Sequence, residues 1–172
     1  MKRIAVDMDG VLADVYSQFD RYYTEETGKV MKHEDTIGRP EGEAFPNALD
    51  YVNSPGFFRS APLMAHGQRV LEKINQQYQL FIVSAAMEFP NSLGEKQAWL
   101  NEHFPFITWR QMVFCGSKDI IKADIMVDDH FRNLDVFTGT TYLFTQPHNQ
   151  LRDPGIHTRV DDWLQLEKLL LS

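Results

Sequence analysis

Three short apolar runs in this chain end in polar or acidic residues, and helical segments separate them. That alternation restricts the fold more than any other feature. Arg3 to Asp7 (RIAVD) ends in acid ahead of Gly10, Gln79 to Ser84 (QLFIVS) ends in a hydroxyl, and Asp124 to Val127 (DIMV) runs into Asp128-Asp129. Apolar runs of this length read as strands buried on both faces, the habit of parallel sheets. The intervening segments have helical spacing. His66 to Gln77 places Val70, Leu71 and Ile74 on one face, Leu93 to Phe104 follows, and a last helix runs to about Leu171 behind a cap at Asp161 or Asp162. Gln111 to Cys115 and Thr141 to Phe144 read as further strands, and Phe131 to Phe137 as a short helix. Strands alternating with helices imply βαβ units: an α/β fold with a central parallel sheet flanked by helices on both faces.

The first part of the chain interrupts this rhythm. Val15, Phe19, Tyr22 and Tyr23 recur at helical spacing up to a stop at Gly28, and the residues from Lys29 to Pro62 hold Gly38, Pro40, Gly42, Pro46, Pro55 and Gly56 among short helical pieces. We expect one domain over residues 1–172, with a small helical insert at about 15–62.

Charge narrows the partners. The formal net charge is -7 and no Lys/Arg run stands out, which argues against polymeric nucleic acid. A small anionic substrate needs locally placed cations to offset that balance. The single cysteine, Cys115, excludes an intrachain disulfide and reads as a small hydrophobe in a strand. No stretch is long and apolar enough to span a bilayer, and Asp7 and Asp9 break the N-terminal apolar run too early for a signal peptide. A cytoplasmic protein with no membrane partner is expected.

Ligands of parallel α/β sheets bind beyond the carboxyl ends of the strands, where Asp7, Ser84 and Asp128-Asp129 converge. Asp7 and Asp9 flank Met8, so both carboxylates can face one pocket, with Gly10 allowing a tight turn. Carboxylates this close repel and call for a cation, and Mg²⁺ suits a hard-oxygen site of acids, water and substrate phosphate. Asp128 and Asp129 divide two tasks, one binding the metal and the other holding a water or Lys118. Spacing alone does not say which does which. Ser84 and Lys118 are candidates for binding phosphate oxygens. Lys96 and Arg132 are read as solvated surface cations, and the six histidines show no zinc-ligand spacing.

In this order, DMDGV, Ser84, Lys118 and Asp128-Asp129 resemble the four motifs of the haloacid dehalogenase superfamily. Over nearly the whole chain, DMDGVLAD, GFF followed by P, EKQAW, ADIMVDD and LFTQPHNQ with a later DDW are similar to the 5'(3')-deoxyribonucleotidases. The resemblance implies a Rossmann-like core with a C1-type cap insert and a Mg²⁺-dependent phosphatase acting on deoxynucleoside monophosphates. It implies Asp7 as nucleophile and Asp9 as general acid/base. Asp7, the Asp9 carbonyl and a motif-four acid, by alignment Asp129, would hold Mg²⁺, while Ser84 and Lys118 would bind phosphate. Ala85, Glu88, Gly116 and Val15 depart from the better-known members, at positions where a hydroxyl, a lysine, an arginine and an aromatic are expected. Phe19, Tyr22, Phe45, Phe57 and Phe58 are candidates to stack on a base, with packing inside the insert as the commoner use of such rings.

Expected partners are therefore a small nucleoside monophosphate and, as an open option, a second copy of the chain. Two other readings stay in view. One is a phosphatase for another small phosphomonoester such as a sugar phosphate. The other is a phospho-accepting signalling module, against which Asp9 counts, because an acid/base beside the nucleophile suits rapid hydrolysis.

Overall fold

The computed structural model describes residues 1–171. Six strands form one sheet in the order β3-β2-β1-β4-β5-β6. They are β1 (Arg3–Val6), β2 (Gln79–Ser84), β3 (Met112–Phe114), β4 (Ile125–Asp128), β5 (Thr140–Phe144) and β6 (Thr158–Val160). Every pairing is parallel, with Ala5 opposite Phe81 on one side and Met126 on the other. The chain winds outward from β1 in both directions. The carboxyl ends of β1 and β4 therefore lie side by side where the winding reverses, the usual place for a ligand in such sheets.

Side chains alternate across the sheet. Ile4 and Val6 join the large core, which also holds Leu71 and Ile74 of α5 (Gly67–Gln77), Trp99 and Leu100 of α6 (Pro90–His103) and Trp163 and Leu166 of α8 (Trp163–Leu171). Ala5, Val83 and Met126 face the other way, into a smaller cluster closed by Phe131 and Leu134 of α7 (Phe131–Leu134). The expected helices on both faces are present, but among the described residues the second face carries only this one-turn helix. Phe81, Val113 and Ile121 remain partly exposed there.

Between β1 and β2 the chain forms α1 (Val15–Thr27), α2 (His33–Thr36), α3 (Glu41–Ala44) and α4 (Ala48–Asn53). Asp14 caps α1 by accepting from the Ser17 N–H at 3.0 Å, and Gly28 ends it in the left-handed conformation that glycine adopts without strain. Aromatic packing fills this segment. Phe19 stacks on Phe45 with centroids 5.3 Å apart, and Phe57 meets Phe19 at 4.9 Å and Tyr22 at 5.2 Å.

Several boundaries differ from expectation. Helix α6 begins at Pro90, not Leu93, because proline's fixed φ suits the first helical position, where no N–H is needed. Strand β3 is shorter than Gln111 to Cys115, since Gln111 closes a 3-10 turn at Trp109–Gln111 in a reciprocal cap with Thr108. Helix α7 stops at Leu134 and not Phe137, where the Phe137 N–H returns to the Leu134 carbonyl at 3.1 Å in a tighter turn. β6 was not expected, because TRV shows no apolar run and buries only Val160. Among the described residues, no helix is long and apolar enough to cross a membrane.

Candidate active site

Asp7 directly follows β1, and its N–H donates to the Val127 carbonyl of β4 at 2.9 Å, so the two central strands hold its backbone. The next residues turn sharply. Gly10 sits at φ 75°, and a Cβ there would overlap Asp129 Oδ2. Glycine is needed at this point both for conformation and for room. Gln146 Nε2 donates to the Gly10 carbonyl at 2.5 Å, tying the turn to the loop after β5.

Lys118 comes from the loop between β3 and β4 and is 4% exposed. Its Nζ donates to Asp7 Oδ1 at 2.5 Å and to Asp128 Oδ2 at 2.7 Å. The adjacent acids Asp128 and Asp129 have different surroundings. Asp128 Oδ1 accepts from the His130 N–H at 2.9 Å and from Asn133 Nδ2 at 3.0 Å, so both of its oxygens are satisfied within the protein. Asp129 Oδ1 is buried and has no hydrogen-bond partner. The Asp129 backbone is held instead: its carbonyl accepts from Asn149 Nδ2 at 2.8 Å and His148 Nε2 at 3.0 Å.

Electrostatics follow this division. Burial pushes the Asp7 carboxyl up to about 7, against the pull of Lys118 and with a push from Asp128. Burial, with Asp7 and Asp128 beside it, drives Asp129 well above the usual carboxylate range. Burial also works against the Asp128 carboxylate, yet Lys118, Asn133 and the His130 N–H hold it below that range. Burial would lower the Lys118 ammonium, but Asp128 and Asp7 together raise it. One lysine thus faces three buried acids.

Asp7, Asp128 and Asp129 bring carboxylate oxygens within 4.8 Å of one another. Excess buried negative charge and an orphaned oxygen on Asp129 are the features a hard divalent cation corrects, and an all-oxygen donor set fits such an ion. Glu41, His130 and His148 form a second group within 4.8 Å, which histidine spacing along the chain did not indicate. Their two rings are stacked, 15° apart in plane with centroids at 4.4 Å, so the in-plane lone pairs run side by side and do not converge. Burial and the neighbouring His148 push the His130 imidazole down to about 4, leaving it neutral at pH 7.

The structure brings Asp7, Asp9, Ser84, Lys118 and Asp129 around one polar pocket. Beside it lies a largely apolar cavity of about 410 Å³, bordered by Val15, Phe19, Val52, Phe57, Phe58 and Phe89 and shared with Asp9, His130 and Arg132. Ala85 and Gly116 border a further opening next to Lys118 and Arg132. Arg132 is exposed, as expected.

Lys96 overturns its solvated reading. It is 2% exposed, and its Nζ donates to Asp9 Oδ2 at 2.5 Å and to Ser84 Oγ at 3.0 Å. Its place on α6 explains this. Ser92, Lys96, Trp99 and Leu100 share the buried face at helical intervals. A lysine in an apolar stripe was the signal available in the sequence. Asn133, Gln146 and Asn149 were also not singled out. They come from α7 and the QPHNQ segment: Asn133 donates to the Asp128 carboxylate and borders the polar pocket, while Gln146 and Asn149 donate to the Gly10 and Asp129 carbonyls.

A sequence model of the family described as "5' nucleotidase, deoxy (Pyrimidine), cytosolic type C protein" matches residues 1–172. The 5'(3')-deoxyribonucleotidase of Bacillus subtilis (strain 168) is 37% identical over 177 residues, covering 99% of each chain. A Staphylococcus aureus (strain Mu50) protein, provisionally given the same name, is 37% identical over 175 residues, covering 99% of this chain and 96% of its own. Among solved structures, a haloacid dehalogenase-like hydrolase from Streptococcus pneumoniae superposes with a TM-score of 0.64 at 13% identity, covering 98% of both chains. A heptose bisphosphate phosphatase from B. bronchiseptica, solved with magnesium and phosphate, gives 0.59 at 11% identity, covering 99% of this chain and 98% of its own.

Proposed function

The chain belongs to the family of 5' nucleotidase, deoxy (pyrimidine), cytosolic type C proteins and is a phosphatase, and from that premise we propose that it removes the 5'- or 3'-phosphate of deoxyribonucleoside monophosphates. The observation that carries this reading is the pairing of an acid- and lysine-lined pocket with an apolar cavity of about 410 Å³, large enough to bury a nucleoside.

Asp7 is the nucleophile: a carboxylate oxygen attacks phosphorus in line with the leaving oxygen, and an aspartyl-phosphate forms. Asp9 protonates the leaving alkoxide and then takes a proton from the water that opens the intermediate. Ser84 Oγ and Lys118 Nζ hold phosphate oxygens, and Lys118 keeps its charge because Asp128 and Asp7 flank it. Asp128 anchors Lys118, and Asp129, with its orphaned oxygen, would hold the metal together with Asp7 and the Asp9 carbonyl. Held there, Mg²⁺ would supply positive charge to offset the acids and the substrate phosphate. The rest of the catalysis is positioning and fixed charge.

Residues 15–62 act as a cap whose aromatic interior forms the wall of the nucleoside cavity and keeps bulk water from the intermediate. Phe45, 1% exposed and away from the cavity, is a structural ring of this cap, whereas Phe19, Phe57, Phe58 and Phe89 border the cavity.

The test is to trap the intermediate. Acid-quenched protein incubated with a deoxynucleotide labelled in its phosphate should retain label that hydroxylamine releases, and Asp7→Asn should retain none. Equal label on both proteins would remove the nucleophile assignment.

A further inference from the structure

We propose that Lys96 is a positioning residue that makes one oxygen of Asp9 the proton carrier, an inference that rests on the acid/base role given to Asp9 above. Lys96 Nζ lies 2.5 Å from Asp9 Oδ2, while Asp9 Oδ1 is buried and without a partner. The carboxyl group is thus divided. One oxygen is fixed by a cation, and the other is left to give or take a proton. The second contact of Nζ, 3.0 Å to Ser84 Oγ, places the ammonium between the acid/base and a phosphate-binding hydroxyl.

A lysine this deeply buried loses most of its hydration, which is costly unless its geometry is satisfied. Here the third side of the ammonium faces the ring of Phe58, with Nζ 4.6 Å from the centroid. The neighbouring residue on α6, Glu95, accepts from the N–H groups of Gly56 at 2.7 Å, Phe58 at 3.0 Å and Arg59 at 3.1 Å. Helix α6 therefore fixes the end of the insert and the orientation of Asp9 through adjacent residues.

The chemistry balances around these atoms. In the first half-reaction the Asp7–phosphorus bond forms and the bond to the leaving oxygen breaks. That oxygen takes the proton from Asp9 Oδ1, and Lys96 meets the carboxylate charge that appears. In the second, a water oxygen bonds to phosphorus, its proton passes to Oδ1, and the Asp7–phosphorus bond breaks to release phosphate and the Asp7 carboxylate. Lys96 meets the charge on Asp9 without reorganising, because its Nζ already lies against Asp9 Oδ2.

A competing role, direct phosphate binding by Lys96, is separated by the leaving group. Nitrophenolate departs without a proton, whereas a nucleoside alkoxide requires one. Rapid-quench first turnovers should be measured for p-nitrophenyl phosphate and a deoxynucleoside 5'-monophosphate on the wild type and Lys96→Met, each with magnesium. The variant should form nitrophenol in its first turnover within about threefold of wild type, while release of the nucleoside falls about 10²-fold or more. Lys96→Gln, which keeps a donor for Oδ2, should show the same selective loss to a smaller degree, and it carries the test if the methionine variant does not fold. Equal slowing of both substrates with a raised KM would assign Lys96 to the phosphate and overturn the proposal, as would unchanged first turnovers. A wild type inert on both substrates would instead defeat the functional reading itself, and this inference with it.

Discussion

Replacing Asp129 by asparagine should stabilise the protein in EDTA and abolish its stabilisation by magnesium. Asp7, Asp128 and Asp129 crowd their oxygens within 4.8 Å, and Lys118 is bonded to only the first two. At an effective dielectric of about 20, two such charges repel by roughly 3 kcal/mol. Burial drives Asp129 above the usual carboxylate range, so the folded protein binds that proton more tightly than the unfolded chain. At neutral pH the group therefore subtracts stability, and the deficit is relieved as the pH falls towards the unfolded value of about 3.9. A cation at 100 times its Kd adds about 2.7 kcal/mol to the folded state. In a chain of this length that is an increase of roughly 5–11 °C in Tm. The assay is thermal unfolding followed by circular dichroism, in EDTA and in saturating magnesium, at several pH values. Wild type should gain the full increment and Asp129→Asn almost none. In EDTA the variant should melt above wild type at pH 7, with the gap closing on acidification. An undiminished magnesium shift in the variant would refute Asp129 as a ligand, and a variant less stable than wild type in EDTA would refute the charge argument.

Other substitutions test the site from different sides. Asp7→Asn should lower kcat roughly 10⁴-fold or more with the fold intact, and turnover near wild type would remove the nucleophile. Asp9→Asn should slow both half-reactions by about 10²–10⁴-fold, seen as loss of rate in single-turnover and steady-state kinetics alike. Gly10→Ala should cost more than about 1 kcal/mol in denaturant unfolding, because a Cβ there is strained at φ 75° and overlaps Asp129. Glu95→Ala removes the acceptor of three backbone N–H groups. It should raise amide exchange at residues 56–59, and unchanged protection there would contradict the proposed anchoring of the insert.

The parallel sheet was legible because its inner strands are apolar runs buried on both faces. QLFIVS appears as a strand with the expected bounds, RIAV stops one residue short of the expected end at Asp7, and the run expected as DIMV is shifted by one residue to IMVD. Edge strand β6 was not, since a strand packed on one side needs few apolar residues. The grouping of Asp7, Ser84 and Asp129 followed from strand ends alone. The split between Asp128 and Asp129 did not. Neighbours at a strand end point to opposite sides, and spacing cannot tell which side holds Lys118. Lys96 was misread because lysines are so often solvated that residue type outweighed position. Its place in the stripe of Ser92, Trp99 and Leu100 was the stronger indicator.

Phosphate release should first be measured from deoxynucleoside 5'- and 3'-monophosphates, ribonucleotides and sugar phosphates, with magnesium and with EDTA. Release that requires magnesium and is fastest on deoxynucleotides is the predicted result. Release confined to sugar phosphates, or undiminished by EDTA, would contradict a metal-dependent deoxyribonucleotidase.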